Sequence, residues 1–344
     1  MNPRDFCLTE RFPIAIVACF NFDPLFFERV ALPALRIGGA QHILVLADRG
    51  AIAEASPSWA GQVQQLGRRY LLGQPAANGA FHPKFMLRLG KASGRVWFGS
   101  GNVTSSGWGL NDEVAAAWSV GGEEDDRGEW LGKLLASLRR WCDGDPLAAD
   151  FIDRAIAQTP WTQAIANHEP PVLFQGPGLS PLATQLAARW HGRAFSQLRL
   201  TTGSTDKEGA MLRWAAETFG VGTVTAVLDP SRASWVPSRL ARLEMDIKVV
   251  RKIGMHAKFF WFEGDGGSAS VIGSANCSAA AWRGSNTEAV VVYDDPDRLE
   301  FSPLLATIRD GLAPEDALPV SPDDDRSAPS TSAFRLMSAR YDSG

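Results

Sequence analysis

The sequence predicts an α/β fold made by internal duplication, with a mainly parallel or mixed sheet in each of two halves. Three observations carry this expectation. The triplet His-x-Lys occurs twice, as His82-Pro83-Lys84 and His256-Ala257-Lys258, in a chain with only five His and seven Lys. Each Lys is followed 18 residues later by the Asn of a Gly-Ser-x-Asn motif (Asn102 and Asn276), and each Asn six residues later by a Trp (Trp108 and Trp282). Each copy also follows the same succession of strand-like, helix-like and strand-like runs. The two His lie 174 residues apart, close to half of the 344-residue chain, so this is a duplication and not a solenoid period.

The elements follow in order. IAIVACF (14–20) reads as a buried strand. DPLFFERVALPALR (23–36) has Asp-Pro at its start and apolar residues at helical spacing, and HILVLAD (42–48) reads as the next strand. An extended approach then leads to His82, and a strand ends in Gly-Ser-x-Asn. Glu113 leads into the apolar run VAAAWSV. The second copy repeats the order with QLRLTTG (197–203), GAMLRWAAETFG (209–220), VTAVLD (224–229), His256, Asn276 and Glu288, which leads into AVVVYD. Pro, Gly and Asp punctuate 141–181, which places the first half at 1–165, a linker at 166–180 and the second half at 181–312. The Pro-, Asp- and Ser-rich segment 313–344 reads as a polar, flexible tail, and its end as a linker into something longer or a boundary where a longer chain was cut. Val172 to Pro177 spell VLFQGP, the core of a viral 3C-type protease site, so such a protease is expected to divide the chain there.

Composition excludes several classes. Apolar residues make up 45% and charged residues 21%, enough to build a core without staples. No apolar run approaches 18 residues, and Asp5 and Glu10 stand where a signal peptide would be basic; a cytoplasmic protein without stable membrane association is expected. Four scattered Cys with no Cys-x-x-Cys exclude a zinc ribbon and argue against a disulfide framework. A net charge of −4 rules out nucleic-acid binding through bulk positive charge and leaves only a local groove.

The repeated residues point to phosphodiester chemistry. In an extended segment, residues i and i+2 share a side, so His82 presents with Lys84 and His256 with Lys258. If the halves face one another, two His, two Lys and two Asn converge on one cleft. One imidazole then attacks phosphorus while the other protonates the leaving oxygen and later deprotonates water. The ammonium groups and the amides of Asn102 and Asn276 offset charge on the phosphoryl oxygens. Glu113 and Glu288 are expected to orient the imidazoles. Ser100, Ser274, Arg251 and Lys252 are candidates for binding substrate. The segment from Arg239 to Lys258 carries six cations against two anions. No cluster has metal-ligand spacing, and no cofactor is expected. Trp108 and Trp282 read as core residues rather than base-stacking platforms, and His42, His168 and His191 as surface or satisfied histidines.

The motifs HPK…GSGN…E and HAK…GSAN…E resemble those of the phospholipase D superfamily, over the chain to about residue 300. The resemblance implies two similar α/β/α halves related by a pseudo-twofold axis, the active site between them, and a covalent phospho-histidine intermediate. Many members carry Asp five residues after the Lys; Leu89 and Glu263 stand there instead. The Asp-less form is most similar to tyrosyl-DNA phosphodiesterase-like nucleases, which implies a metal-independent nuclease or DNA-processing enzyme. Its substrate would be nucleic acid, DNA rather than RNA, and a helicase or restriction module is an implied partner. His82 is assigned the nucleophile and His256 the general acid/base, because Pro83 stiffens the first site and relatives use the first His. A phospholipase or phosphatidyl transferase, and a non-catalytic module of a larger defence or repair protein, are the alternatives.

Overall fold

Ile14, Ile16 and Ala18 face one side of strand β1 (Ile14–Cys19), and Ala15, Val17 and Cys19 face the other; both sets are buried. A strand apolar on both faces belongs inside a layered sandwich, and the computed structural model, which describes residues 2–59, 61–122, 128–163 and 169–318, shows one. The first sheet adds β2 (His42–Ala47), β3 (Leu71–Gly73), β4 (Phe85–Leu89), β5 (Ser93–Gly99) and β6 (Ala115–Gly121) in the order β3-β2-β1-β4-β5-β6. The first three of these are parallel; β4, β5 and β6 continue as an antiparallel meander, so the sheet is mixed. One face packs on the helices Trp130–Trp141 and Pro146–Gln158, the other on Pro3–Leu8 and a continuous helical run from Pro24 to Ile37 with a π turn at Phe27–Ala31. Asp23 caps that run by accepting from the backbone N–H groups of Leu25 and Phe26, as its Asp-Pro start predicts.

The second sheet repeats this plan. β7 (Val172–Gln175), β8 (Gln197–Thr202), β9 (Thr223–Leu228), β10 (Asp246–Arg251), β11 (Phe259–Gly264), β12 (Gly267–Gly273) and β13 (Glu288–Asp294) lie in the order β10-β9-β8-β11-β12-β13-β7. β8, β9 and β10 are parallel and the rest antiparallel. Helices Leu182–Arg189 and Ala210–Phe219 cover one face. The repeated strands fall where the apolar runs predict them.

Two segments differ from the sequence reading. The 166–180 stretch is not a plain connector, because apolar Val172 and Leu173 bury themselves and the strand they start, β7, closes the edge of the second sheet. Val172, Ala289 and Val291 belong to a core cluster built mostly from the first half, so the halves share apolar packing. Residues 313–318, expected in the tail, belong to the packed second half: Pro314–Ala317 is helical, Ala317 and Leu318 are buried, and Leu312 bridges to Val249. The rest of the tail, 319–344, and His168 lie outside the described residues.

Arg88 is fully buried in β4. Its guanidinium donates to the carbonyls of Phe6, Glu10 and Gly38 at 2.7 Å each, and to that of Thr9. It thereby ties the N-terminal helix and the end of the Leu32–Ile37 helix to the sheet, where a cation also suits the helix C-termini.

Candidate active site

The two His-x-Lys segments run straight into β4 and β11, the central antiparallel strands of their sheets. Gly99 N–H donates to Lys84 O at 3.0 Å and Gly273 N–H to Lys258 O at 3.2 Å, which fixes each Lys at the head of a ladder. The Gly-Ser-x-Asn motifs follow β5 and β12 directly, so the neighbouring strand delivers Asn102 beside His82 and Asn276 beside His256.

The halves then cross. His82 N–H donates to Thr287 O at 3.0 Å, and Thr287 N–H to Ala80 O at 2.9 Å. In the mirror arrangement, His256 N–H donates to Asp112 O and Asp112 N–H to Gly254 O, each at 3.1 Å. The side chains cross with the backbone. His82 Nδ1 lies 3.0 Å from Glu288, and His256 Nδ1 lies 2.6 Å from Glu113, so each half's carboxylate holds the other half's imidazole. The same glutamates accept from Ser100 and Ser274 of their own half. A carboxylate accepts only from a protonated nitrogen, so the glutamates favour the tautomer with the proton on Nδ1 and the lone pair on Nε2; at His256 Glu113 does so against Lys258 Nζ, which lies 3.1 Å from the same Nδ1.

Burial sets the charges. Lys84, Lys258 and Glu288 are fully buried, and His82 and Asn102 are 9% exposed. Desolvation pushes His82 below the ordinary imidazole value and His256 down to about 4, against the pull of their glutamate partners. It also lowers Lys84 to about 8 and Lys258 well below the ordinary value. Burial alone would raise both glutamates, but donors from His and Ser, together with the neighbouring Lys charges, bring them below the usual range. The resting site therefore holds two carboxylates opposite two lysines, with two neutral imidazoles between them. Each lysine Nζ donates to the carbonyl of its own His. Among the described residues no group of three His, Cys, Asp or Glu is placed to hold a metal.

The predicted residues divide into two sets. His82, Lys84, Asn102, Glu113, His256, Lys258, Asn276 and Glu288 come together. Ser100 and Ser274 do not face a substrate: they are fully buried, donate to the glutamates and accept from Val114 N–H and Ala289 N–H. Three of the six cations of the basic run are paired with carboxylates, Arg239 with Glu208, Lys248 with Asp246 and Lys252 with Asp112 (2.9 Å). Arg251 is exposed at the end of β10. Trp282 is buried and donates to Asn276 O at 2.8 Å, whereas Trp108 packs edge-on against Phe26. His42 and His191 are exposed.

Sequence reasoning missed a second ring of residues. Asn111 and Asn286 each donate to the glutamate two residues on, at 3.3 and 3.2 Å. Asp48 and Asp229, which end the second strand of each half, accept from Phe81 N–H and Gly254 N–H at 2.8 and 2.9 Å and so hold the approaches to the histidines. Asn-x-Glu and the strand-terminal Asp occur in both copies and could have been found by the same repeat comparison.

The halves are not identical at the reaction centre. After β1 stands Phe20, its ring 5.3 Å from that of His82 and 6.0 Å from Lys84 Nζ. Phe20 N–H and Asn21 N–H donate to Asn102 Oδ1, which turns the amide nitrogen away from them. After β8 the equivalent residue is Gly203. A Cβ there would stand 2.6 Å from His256 Cδ2 and 2.7 Å from Lys258 Nζ, so no side chain fits.

No family model matches the sequence, and no curated protein matches it. Among solved structures, yeast tyrosyl-DNA phosphodiesterase is similar, with a TM-score of 0.55 at 14% identity over 84% of this chain and 84% of that one. Polyphosphate kinase from Porphyromonas gingivalis aligns with a TM-score of 0.49 at 14% identity, over 89% of this chain and 47% of that one. Nuc from Salmonella typhimurium, described as a phospholipase D family member, aligns with a TM-score of 0.30 at 23% identity over 40% of this chain and 91% of that one.

Proposed function

We propose that this chain, which has the two-domain fold of the phospholipase D superfamily, is a metal-independent phosphodiesterase acting on nucleic acid, DNA before RNA. The observation that carries the reading is the crossed pair of His–Glu dyads, His82–Glu288 and His256–Glu113, set beside two buried lysines. A neutral imidazole with its proton fixed on Nδ1 is a nucleophile at Nε2. His82 Nε2 attacks phosphorus as the bond from phosphorus to the leaving oxygen breaks, and His256 donates the proton that oxygen takes up. Although His256 rests unprotonated, an arriving phosphodiester anion favours its imidazolium form in this buried setting. Water then attacks the phospho-histidine, the Nε2–phosphorus bond breaks, and His256 accepts the proton of the water.

Lys84 and Lys258 supply charge to the phosphoryl oxygens where other phosphoryl-transfer enzymes use a metal, and the amides of Asn102 and Asn276 donate beside them. A nucleic-acid substrate is supported by the fold shared with an enzyme named for tyrosyl-DNA, and by exposed Arg232, whose charge acts on Lys258. A helicase or restriction module is the partner that this reading implies. The test is incubation with single- and double-stranded DNA, RNA and phosphatidylcholine in EDTA. Cleavage of nucleic acid that persists in EDTA is expected. Activity lost on chelation and restored by magnesium overturns the mechanism, and cleavage of phosphatidylcholine alone overturns the substrate.

A further inference from the structure

Among the described residues the two most exposed large apolar side chains are Ile253, at 90%, and Leu110, at 79%. They stand together. The bridge between Asp112 and Met255 joins their two segments, and Leu110 O lies 4.0 Å from the position of a Cβ on Gly254. Ile253 is three residues before His256 and Leu110 three before Glu113, so this exposed apolar pair sits on the two bridged segments that lead into the His256–Glu113 dyad. Lys252 and Asp112 pair beneath it, and the cross-half hydrogen bonds hold its backbone rigid. The equivalent place in the other strap is filled by Gly79 and Ser285, packed so closely that a Cβ on Gly79 would meet Ser285 O at 2.7 Å. On the His82 side the apolar group is instead the half-buried ring of Phe20.

An apolar group thus stands on each side of the histidine pair, and the two are of different kinds. We infer that these are base contacts: Phe20 stacks on the nucleobase flanking the scissile phosphate at His82, and Leu110 with Ile253 packs against the nucleobase on the His256 side. The inference rests on the phosphodiesterase reading and names its substrate as an unstacked strand with a base on both sides of the cut. A nucleic acid carries a flat apolar group on each side of every phosphate, whereas a phospholipid has hydrocarbon on one side and a polar headgroup on the other. Two side chains also bury less hydrocarbon than a single acyl chain, which alone gives only marginal membrane binding. Base contacts of this kind are sequence-tolerant and favour single strands.

A hexathymidylate in which methylphosphonates leave one cleavable phosphodiester tests this, together with two analogues abasic on one or the other side of that bond. For the wild type, each abasic analogue is expected to lower kcat/KM about tenfold. Leu110→Ser/Ile253→Ser, both changes at exposed positions, is expected to lose sensitivity to the base on one side only, and Phe20→Leu to the base on the other. Variants that keep the wild-type response to both analogues overturn the inference while leaving the phosphodiesterase reading in place. So does wild type that sediments with phosphatidylglycerol vesicles when the double serine variant does not, which makes the exposed apolar pair a membrane contact. Wild type that leaves every oligonucleotide intact overturns the nucleic-acid reading itself.

Discussion

Glu113 is hydrogen-bonded to His256 at 2.6 Å across 143 residues of chain, and to Ser100 within its own half. One carboxylate therefore reads the position of both halves. If its work is to fix the imidazole tautomer, Glu113→Gln and Glu288→Gln should each lower kcat/KM by about 10²–10⁴-fold with the fold intact, because an amide presents the wrong donor to Nδ1. Rates on bis-p-nitrophenyl phosphate, with circular dichroism as the folding control, measure this. Near-wild-type rates in both variants would remove the dyads from the mechanism.

The two histidines are expected to differ when trapped. His256→Ala should accumulate a phospho-enzyme on His82 with a good leaving group such as p-nitrophenol, because attack needs no strong acid there while hydrolysis still needs a base. His82→Ala should form no adduct. Mass spectrometry that places the adduct on His256 reverses the assignment.

Stability should fall on the acid side of neutrality. His256 titrates at about 4 when folded and near 6.5 when unfolded, and His82 is shifted in the same direction. Between those values the unfolded chain binds more protons, so this contribution is complete above about pH 6.5 and is lost as pH falls toward 4. Glu113 and Glu288, also lowered, extend the loss further into acid. Urea midpoints at pH 7.5, 6 and 5 should decline in that order; a flat series contradicts the buried neutral imidazoles.

Replacing Arg88 with Met removes the guanidinium donor shared by the carbonyls of Phe6, Thr9, Glu10 and Gly38, and should cost about 3 kcal/mol in urea unfolding. The dyads lie elsewhere, so the folded variant should keep its rate. A loss under 1 kcal/mol would mean that water or the backbone replaces the guanidinium.

The VLFQGP sequence should resist 3C protease in the native protein, contrary to what its spelling implies. Gln175 is fully buried, donates to the carbonyls of Ala281 and Asn286, and accepts from Leu182 N–H. Cleavage should appear only in urea concentrations that unfold the chain. Rapid cutting under native conditions would show that β7 detaches readily.

Much of this was legible because repetition exposes function. His-x-Lys, Gly-Ser-x-Asn and the trailing Glu were found by comparing the chain with itself, and the strands from Ile14 and Gln197 by their apolar runs. What was not legible depends on contacts between distant segments. Nothing local says that Glu288 serves His82 rather than His256, or that the serines serve the glutamates. The Pro and Gly around β7 mark a break in local pattern, but Val172 and Gln175 find their partners more than a hundred residues away. The +4 stretch from Arg239 to Lys258 reads as a binding face until Glu208 and Asp112, far off in sequence, are seen to pair with it.

The crossed dyads also remove the redundancy that a duplicated chain would otherwise possess. Two copies of one motif look like a spare, able to absorb damage to either. Here neither copy owns a complete dyad: a lesion at Glu113 strikes His256, and one at Thr287 or Glu288 strikes His82. The copies are free to diverge where each packs against itself, as Phe20 and Gly203 show. They fail together where each completes the other.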